Sequence, residues 1–296
     1  SSTRSTQAQP RHVGLWLGFM ALLVFTMVIV GGATRLTESG LSIVEWKPVT
    51  GTLPPLSVED WQEEFDAYKQ SPEYQRVNRG MSLDEFKNIF WWEWGHRLLG
   101  RFIGFAFLIP FLWFLYKRAI PQGFKVRIGG LFILGGAQGA LGWWMVASGL
   151  VSEPAVSHYR LAAHLGLALL IFAALLWTSL DLLKRPVEKA AQGSLTFGWV
   201  FLLLLGVQII FGAFVAGLDA GLAYNTWPLM DGKWVPDALF ESRDVFYDTL
   251  SVQWLHRMLA YGVAVWAGIW AWRSWSAHKL LSVVLIIAVI VQIVLG

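Results

Sequence analysis

The chain has 296 residues, 55% of them hydrophobic and only 15% charged, with a formal net charge of +3 and no cysteine. A soluble domain carries about 25% charged residues, so the composition argues against a water-soluble domain and for a bilayer as solvent. The lack of cysteine excludes disulfides, thiolate heme ligation, iron–sulfur clusters and cysteine zinc sites, and the small, dispersed positive charge offers no nucleic-acid patch.

The first ten residues are polar and lack the apolar run of a secretory signal, so they read as a transit-peptide remnant or a bacterial tail. Crossing the hydrocarbon takes about 20 mainly apolar residues, and in lipid a helix satisfies its own backbone. Seven segments qualify: roughly 14–33, 97–116, 128–147, 160–180, 196–217, 253–272 and 279–296. The 18 Trp, 19 Phe and 7 Tyr suit membrane interfaces and the walls of a flat cofactor pocket. Lys and Arg gather on alternate links: Arg4 and Arg11; Lys117, Arg118, Lys125 and Arg127; Lys184, Arg185 and Lys189; Arg273 and Lys279. The positive-inside rule puts these links and the N-terminus inside, and the long loops 34–95 and 218–252 outside. The acidic run Glu59, Asp60, Glu63, Glu64 and Asp66 in the first loop reads as a solvated helix face.

An internal repeat organises the chain. Gly31, Glu38, Gly40, Leu41 and Trp46 return as Gly212, Asp219, Gly221, Leu222 and Trp227, an offset of 181. Trp94, His96, Arg97 and Leu99 return as Trp254, His256, Arg257 and Leu259, an offset of 160. Gln138, Leu141 and Gly142 return as Gln292, Leu295 and Gly296, an offset of 154. The first three spans therefore match the last three in order, and the fourth has no partner before Gly296, so an eighth helix is expected and seven are present. The fold class is all-α integral membrane: two tandem, pseudo-symmetric four-helix bundles, residues 1–190 and 191–296. Four helices per half give both halves one orientation, related by an axis along the membrane normal.

Six histidines remain to be placed. His12 and His278 flank spans among basic residues and read as solvated; His158, in a link, is ambiguous. His96, His164 and His256 fall at similar depth within spans, where an ionisable group is a functional hypothesis by default. Imidazole suits iron, copper and zinc, and a four-helix bundle can hold a heme between histidines on facing helices. His96 with His164 would make one pair, and His256 would pair with a histidine of the missing helix. Three residues before His96 stands Glu93; three before His256 stands Gln253, on the same helix face as its histidine. A carboxylate can act as a base or stabilise a cation and an amide cannot, which suggests chemistry in the first half and electron transfer in the second. Structural pairing of Glu93 with Arg97 or Arg101 is the competing reading. Arg35, Lys47, Arg97 and Arg257 are plausible partners for anionic heme propionates, or for lipid headgroups.

These residues carry a resemblance. The run Gly31-Gly32-Ala33-Thr34-Arg35-Leu36-Thr37-Glu38-Ser39-Gly40-Leu41-Ser42 resembles the first-loop signature of heme A synthases. So do Glu93-Trp94-Gly95-His96-Arg97, His164-Leu165-Gly166, Tyr224-Asn225-Thr226-Trp227-Pro228-Leu229-Met230 and Gln253-Trp254-Leu255-His256-Arg257. The match covers nearly the whole chain and is similar to the proteobacterial and mitochondrial branch without loop cysteines. The resemblance implies eight helices in two halves, a substrate heme site in the first and a heme b site in the second. It implies His96 and His164 as ligands of the first heme, His256 as one ligand of the second, and Glu93 as a catalytic acid or base. The implied reaction takes the C8 methyl of heme O to a formyl group, giving heme A for cytochrome oxidase assembly. It also implies heme O delivered by a farnesyltransferase upstream, a bacterial plasma membrane or mitochondrial inner membrane, an electron acceptor or donor, and room for a homo-oligomer. A diheme b-type electron carrier shares every ligand argument but needs neither the Glu93/Gln253 difference nor space for a farnesyl tail. A transporter would want mid-membrane polar residues, which are few: Gln138, Gln208 and Gln292 among them.

Overall fold

The computed structural model describes residues 8–47, 50–151, 155–183 and 192–296. Arg4, Lys184, Arg185 and Lys189, which entered the orientation argument, lie outside them, as does the expected boundary between halves at 190. The helices are α1 (Pro10–Leu36), α2 (Val58–Tyr68), α3 (Pro72–Arg76), α4 (Leu83–Tyr116), α5 (Phe124–Val151), α6 (His158–Leu182), α7 (Gln192–Gly217), α8 (Thr249–Ser274) and α9 (Lys279–Leu295). Five are long and apolar enough to cross a membrane: α1, α4, α5, α6 and, from Thr196, α7. The other two expected spans fall on α8, long enough but less apolar, and on α9, whose 17 residues reach about 26 Å. Among the described residues there is no strand, only an isolated bridge between Met230 and Lys233. The chain is an all-α, multi-pass membrane protein.

Two compact units form, Ser1–Pro186 and Val187–Gly296. In the first, α1 packs on α4 and α6, and α5 packs on the same two helices, so α4 and α6 stand on a diagonal of a four-helix bundle. The apolar core lies toward the end away from the long loop, where Val13, Leu17 and Met20 of α1 meet Phe107, Ile128, Ile171 and Leu175. At the other end α2, α3 and the start of α4 form a cap around Phe65, Tyr68, Phe86 and Phe90. Capping boxes start α2 and α4: Ser57 with Asp60, Ser82 with Glu85. The acidic run lies on α2 with Glu59, Asp60, Glu63 and Asp66 exposed, the solvated face the sequence suggested. α4 has 34 residues, about 50 Å, so it runs from the cap through the bundle as one piece.

In the second unit α8 packs against both α7 and α9. The repeat reaches the backbone. Thr37 N–H donates to Ala33 O at 3.0 Å, and Leu218 N–H to Phe214 O at 3.0 Å. Glu38 N–H donates to Arg35 O and Asp219 N–H to Ala216 O, at 3.1 and 3.4 Å. Glu38 and Asp219 both take the left-handed conformation, φ 51° and 50°, which is unfavourable for a residue with a Cβ. Each is 181 positions from the other, so α1 and α7 end by the same turn.

Candidate functional site

The histidines come first. His96 on α4 and His164 on α6 belong to the diagonal helices, near the cap end of the bundle. Each ring nests on a glycine of a neighbouring helix. A Cβ on Gly31 of α1 would lie 3.2 Å from His96 Nε2, and one on Gly142 of α5 would lie 3.1 Å from His164 Cε1. In the second unit a Cβ on Gly212 of α7 would lie 3.1 Å from His256 Cε1. Gly31 and Gly212 are repeat equivalents, as are His96 and His256, so one packing is used twice.

The rings are half-buried. Among the described residues His96 makes no hydrogen bond, and His256 Nδ1 is buried without a partner. Gln138 Nε2 lies 3.1 Å from His164 Nδ1 and 3.3 Å from its Nε2, and donates to the His164 carbonyl at 3.0 Å. Gln208 Nε2 lies 3.4 Å from His256 Nε2. Two of the three glutamines that a transporter reading would have claimed, Gln138 and Gln208, therefore attend the histidines. Among the described residues no three His, Cys, Asp or Glu side chains gather to hold a metal ion. Histidines from diagonal helices, each seated in a glycine cradle, fit an iron porphyrin clasped between helices.

Glu93 is 3% exposed and engaged at both oxygens. Its Oε1 accepts from Arg97 Nε and Nη2 at 3.0 and 2.6 Å. Its Oε2 accepts from Ser42 Oγ at 2.7 Å and from Ile43 N–H at 2.8 Å. Arg97 Nη2 continues to Ile43 O at 2.8 Å and Nη1 to Glu45 O at 3.3 Å. The pair thus fastens the loop after α1 onto α4.

Gln253 and Arg257 do the same with different chemistry. Arg257 Nη2 donates to Tyr224 O and Nη1 to Thr226 O, both at 2.6 Å, and Gln253 Nε2 also donates to Tyr224 O at 2.9 Å. Tyr224 and Thr226 lie 181 positions after Ile43 and Glu45. Gln253 Oε1 is buried without a partner, and among the described residues Arg257 is in no ion pair. Two of the three arginines offered as propionate partners, Arg97 and Arg257, are thus engaged by protein groups.

Lys47 pairs with Glu45 and Glu64, both at 3.0 Å, and the hydrogen bond to Glu45 does most to raise its ammonium above its usual range. Arg35 closes the last turn of α1. A cavity of about 280 Å³ between loop and cap is lined by Lys47, Phe90, Trp94, Arg97 and Arg101. Trp94 Nε1 is buried there without a partner, whereas its equivalent Trp254 Nε1 donates to Trp234 O at 2.8 Å. His158 is buried against Tyr159, ring centroids 4.1 Å apart.

One group in the cap escaped the sequence reading. Glu73 is buried, accepting from Tyr68 O–H at 3.0 Å, while Asn78 Nδ2 donates to the same hydroxyl at 2.8 Å. Burial pushes its carboxyl up to about 7; the charges of Glu93 and Glu38 add to this, against the Tyr68 hydrogen bond and Arg35. Burial likewise raises the Tyr68 phenol.

The fold defines the class: a helical, multi-pass membrane protein with histidines seated between the helices of its bundle. The family described as Cytochrome oxidase assembly protein matches residues 14–296, and the chain belongs to it. Within that family its relatives are heme A synthases. It is 54% identical to "Heme A synthase" of Parvibaculum lavamentivorans, over 94% of this chain and 81% of the relative. The corresponding protein of Nitrosospira multiformis is 48% identical, over 98% and 85%. That of Rhodopseudomonas palustris is 55% identical, over 91% and 77%. No solved structure matches the chain.

Proposed function

We propose that this protein is an enzyme of heme A biosynthesis that oxidises the C8 methyl of heme O to a formyl group. The observation that carries the reading is His96 and His164 on diagonal helices with Glu93 three residues before His96, in a chain closely similar to heme A synthases. His96 and His164 hold the substrate heme, and His256 is one ligand of a heme b in the second unit. Conversion of methyl to formyl consumes one water and releases four electrons and four protons, passing through an alcohol and a gem-diol that loses water.

The chain's own contribution is positional and electrostatic. Glu93 has four donors on its two oxygens, so it stands as a carboxylate that stabilises positive charge developing at the oxidised carbon, rather than as a base with a vacant lone pair. Ser42 holds that carboxylate from the loop side. The protein lies in the plasma membrane or the mitochondrial inner membrane with its N-terminus inside and the cap outside, which puts the heme-binding end of the bundle in the outer leaflet. Heme O reaches it from the farnesyltransferase upstream.

Heme extraction from the purified full chain tests the reading: heme O or heme A should accompany heme b. Heme b alone would favour the diheme electron carrier, and a colourless protein would end both. Glu93→Gln should bind heme O yet lose activity by a factor on the order of 100 or more; normal heme A output from that variant would remove Glu93 from the mechanism.

A further inference from the structure

The two arginines fasten their loops through the same atoms, while the residues four positions before them differ in charge and in bonding. Arg97 and Arg257 each bridge two carbonyls two residues apart, Ile43 and Glu45 in one unit, Tyr224 and Thr226 in the other. Each arginine directly follows a heme-ligand candidate. The guanidiniums are therefore fixed charges at repeat-equivalent places. In the first unit Glu93 lies 2.6 Å from Arg97 and cancels it. In the second, Gln253 offers an amide, and among the described residues no carboxylate pairs with Arg257. A fixed cation near a heme favours the reduced, less positive iron and so raises its reduction potential, the more so where water is scarce.

We propose that the Glu93/Gln253 difference sets the redox order of the two sites. Gln253 leaves the Arg257 charge uncompensated beside His256, so a heme there has a higher reduction potential than one held by His96 and His164. The inference rests on the heme reading above and adds which site holds electrons more readily. It gives Gln253 and Arg257 a tuning role without contact with substrate, and it explains why the amide suits the second unit, where a carboxylate would cancel the charge.

Redox titration of the purified full chain, followed by the heme absorbance bands, tests it. Two components are expected, the higher assigned to the second unit through its response to substitution there. Gln253→Glu should lower the higher component toward the other, and Arg257→Gln should lower it too. Arg257→Lys, which keeps the charge, should hold it near the wild-type value, a rescue that a purely structural role would not give. Glu93→Gln should raise the lower component. If Gln253→Glu fails to fold, the contrast between Arg257→Gln and Arg257→Lys decides. A higher component that Gln253→Glu and Arg257→Gln leave in place, or move upward, overturns the inference while the heme reading stands. A wild-type chain without heme removes the heme reading, and the inference falls with it.

Discussion

The loops after α1 and α7 are held down in the same way by different chemistry. In the first unit an anion and a cation, each inside the other's hydrogen-bonding shell, grip Ser42, Ile43 and Glu45. In the second an amide and a lone cation grip Tyr224 and Thr226. The repeat kept the fastening and changed its charge, so fastening and charge are separable functions of the same positions.

The largest expected effect breaks that comparison directly. Arg97→Gln strands Glu93 as a buried, unpaired carboxylate and should cost about 3–5 kcal/mol. Arg257→Gln removes only hydrogen bonds to carbonyls and should cost about 1–2 kcal/mol. Thermal unfolding in detergent compares the two, and equal losses would show that the ion pair adds nothing. Glu93→Gln combined with Arg97→Gln should recover part of the larger loss, because no charge is then left unpaired.

Next come the glycine cradles. Gly31→Ala and Gly212→Ala each put a methyl against a histidine ring and should cost about 1–3 kcal/mol through overpacking. On the proposed heme reading, each should reduce heme in its own unit while leaving helix content intact by circular dichroism. Retention of both hemes at wild-type level in both variants would show that the cradles do not position the rings.

The smallest effect concerns the cap, which only the first unit has in this form. Glu73 binds its proton more tightly when folded than the usual carboxyl at 4.5, with its folded value about 7. The folded cap is therefore favoured at low pH, and it loses stability as pH rises from about 4.5 to 7. Protease resistance of residues 58–76 should fall across that range in the wild type and stay flat in Glu73→Gln. A flat wild-type profile would contradict the assignment.

Much of this was legible because membrane helices and repeats leave strong one-dimensional signals. The spans announced themselves by apolar length, and the pairing of His96 with His256 and of Glu93 with Gln253 by fixed offsets. The Glu93–Arg97 ion pair was readable from its i,i+4 spacing, though not its reach to the loop. Gln138 and Gln208 read as isolated polar residues, although the recurrence of Gln138 as Gln292 was a signal that its position matters. Glu73 gave no sign, since its burial depends on Tyr68 and Asn78 folding over it.

The sequence by itself determined the bilayer as solvent, the all-helical class, the duplicated order of elements and the residue types able to ligate a heme, because each of these follows from composition or spacing along one chain. Only the tertiary structure decided that α4 and α6 are diagonal, that glycines of neighbouring helices seat the histidines, and that Arg97 and Arg257 spend their donors on loop carbonyls. The arginine contacts join residues 31 to 54 positions apart, and a carbonyl oxygen carries no mark in the sequence of the partner it will meet.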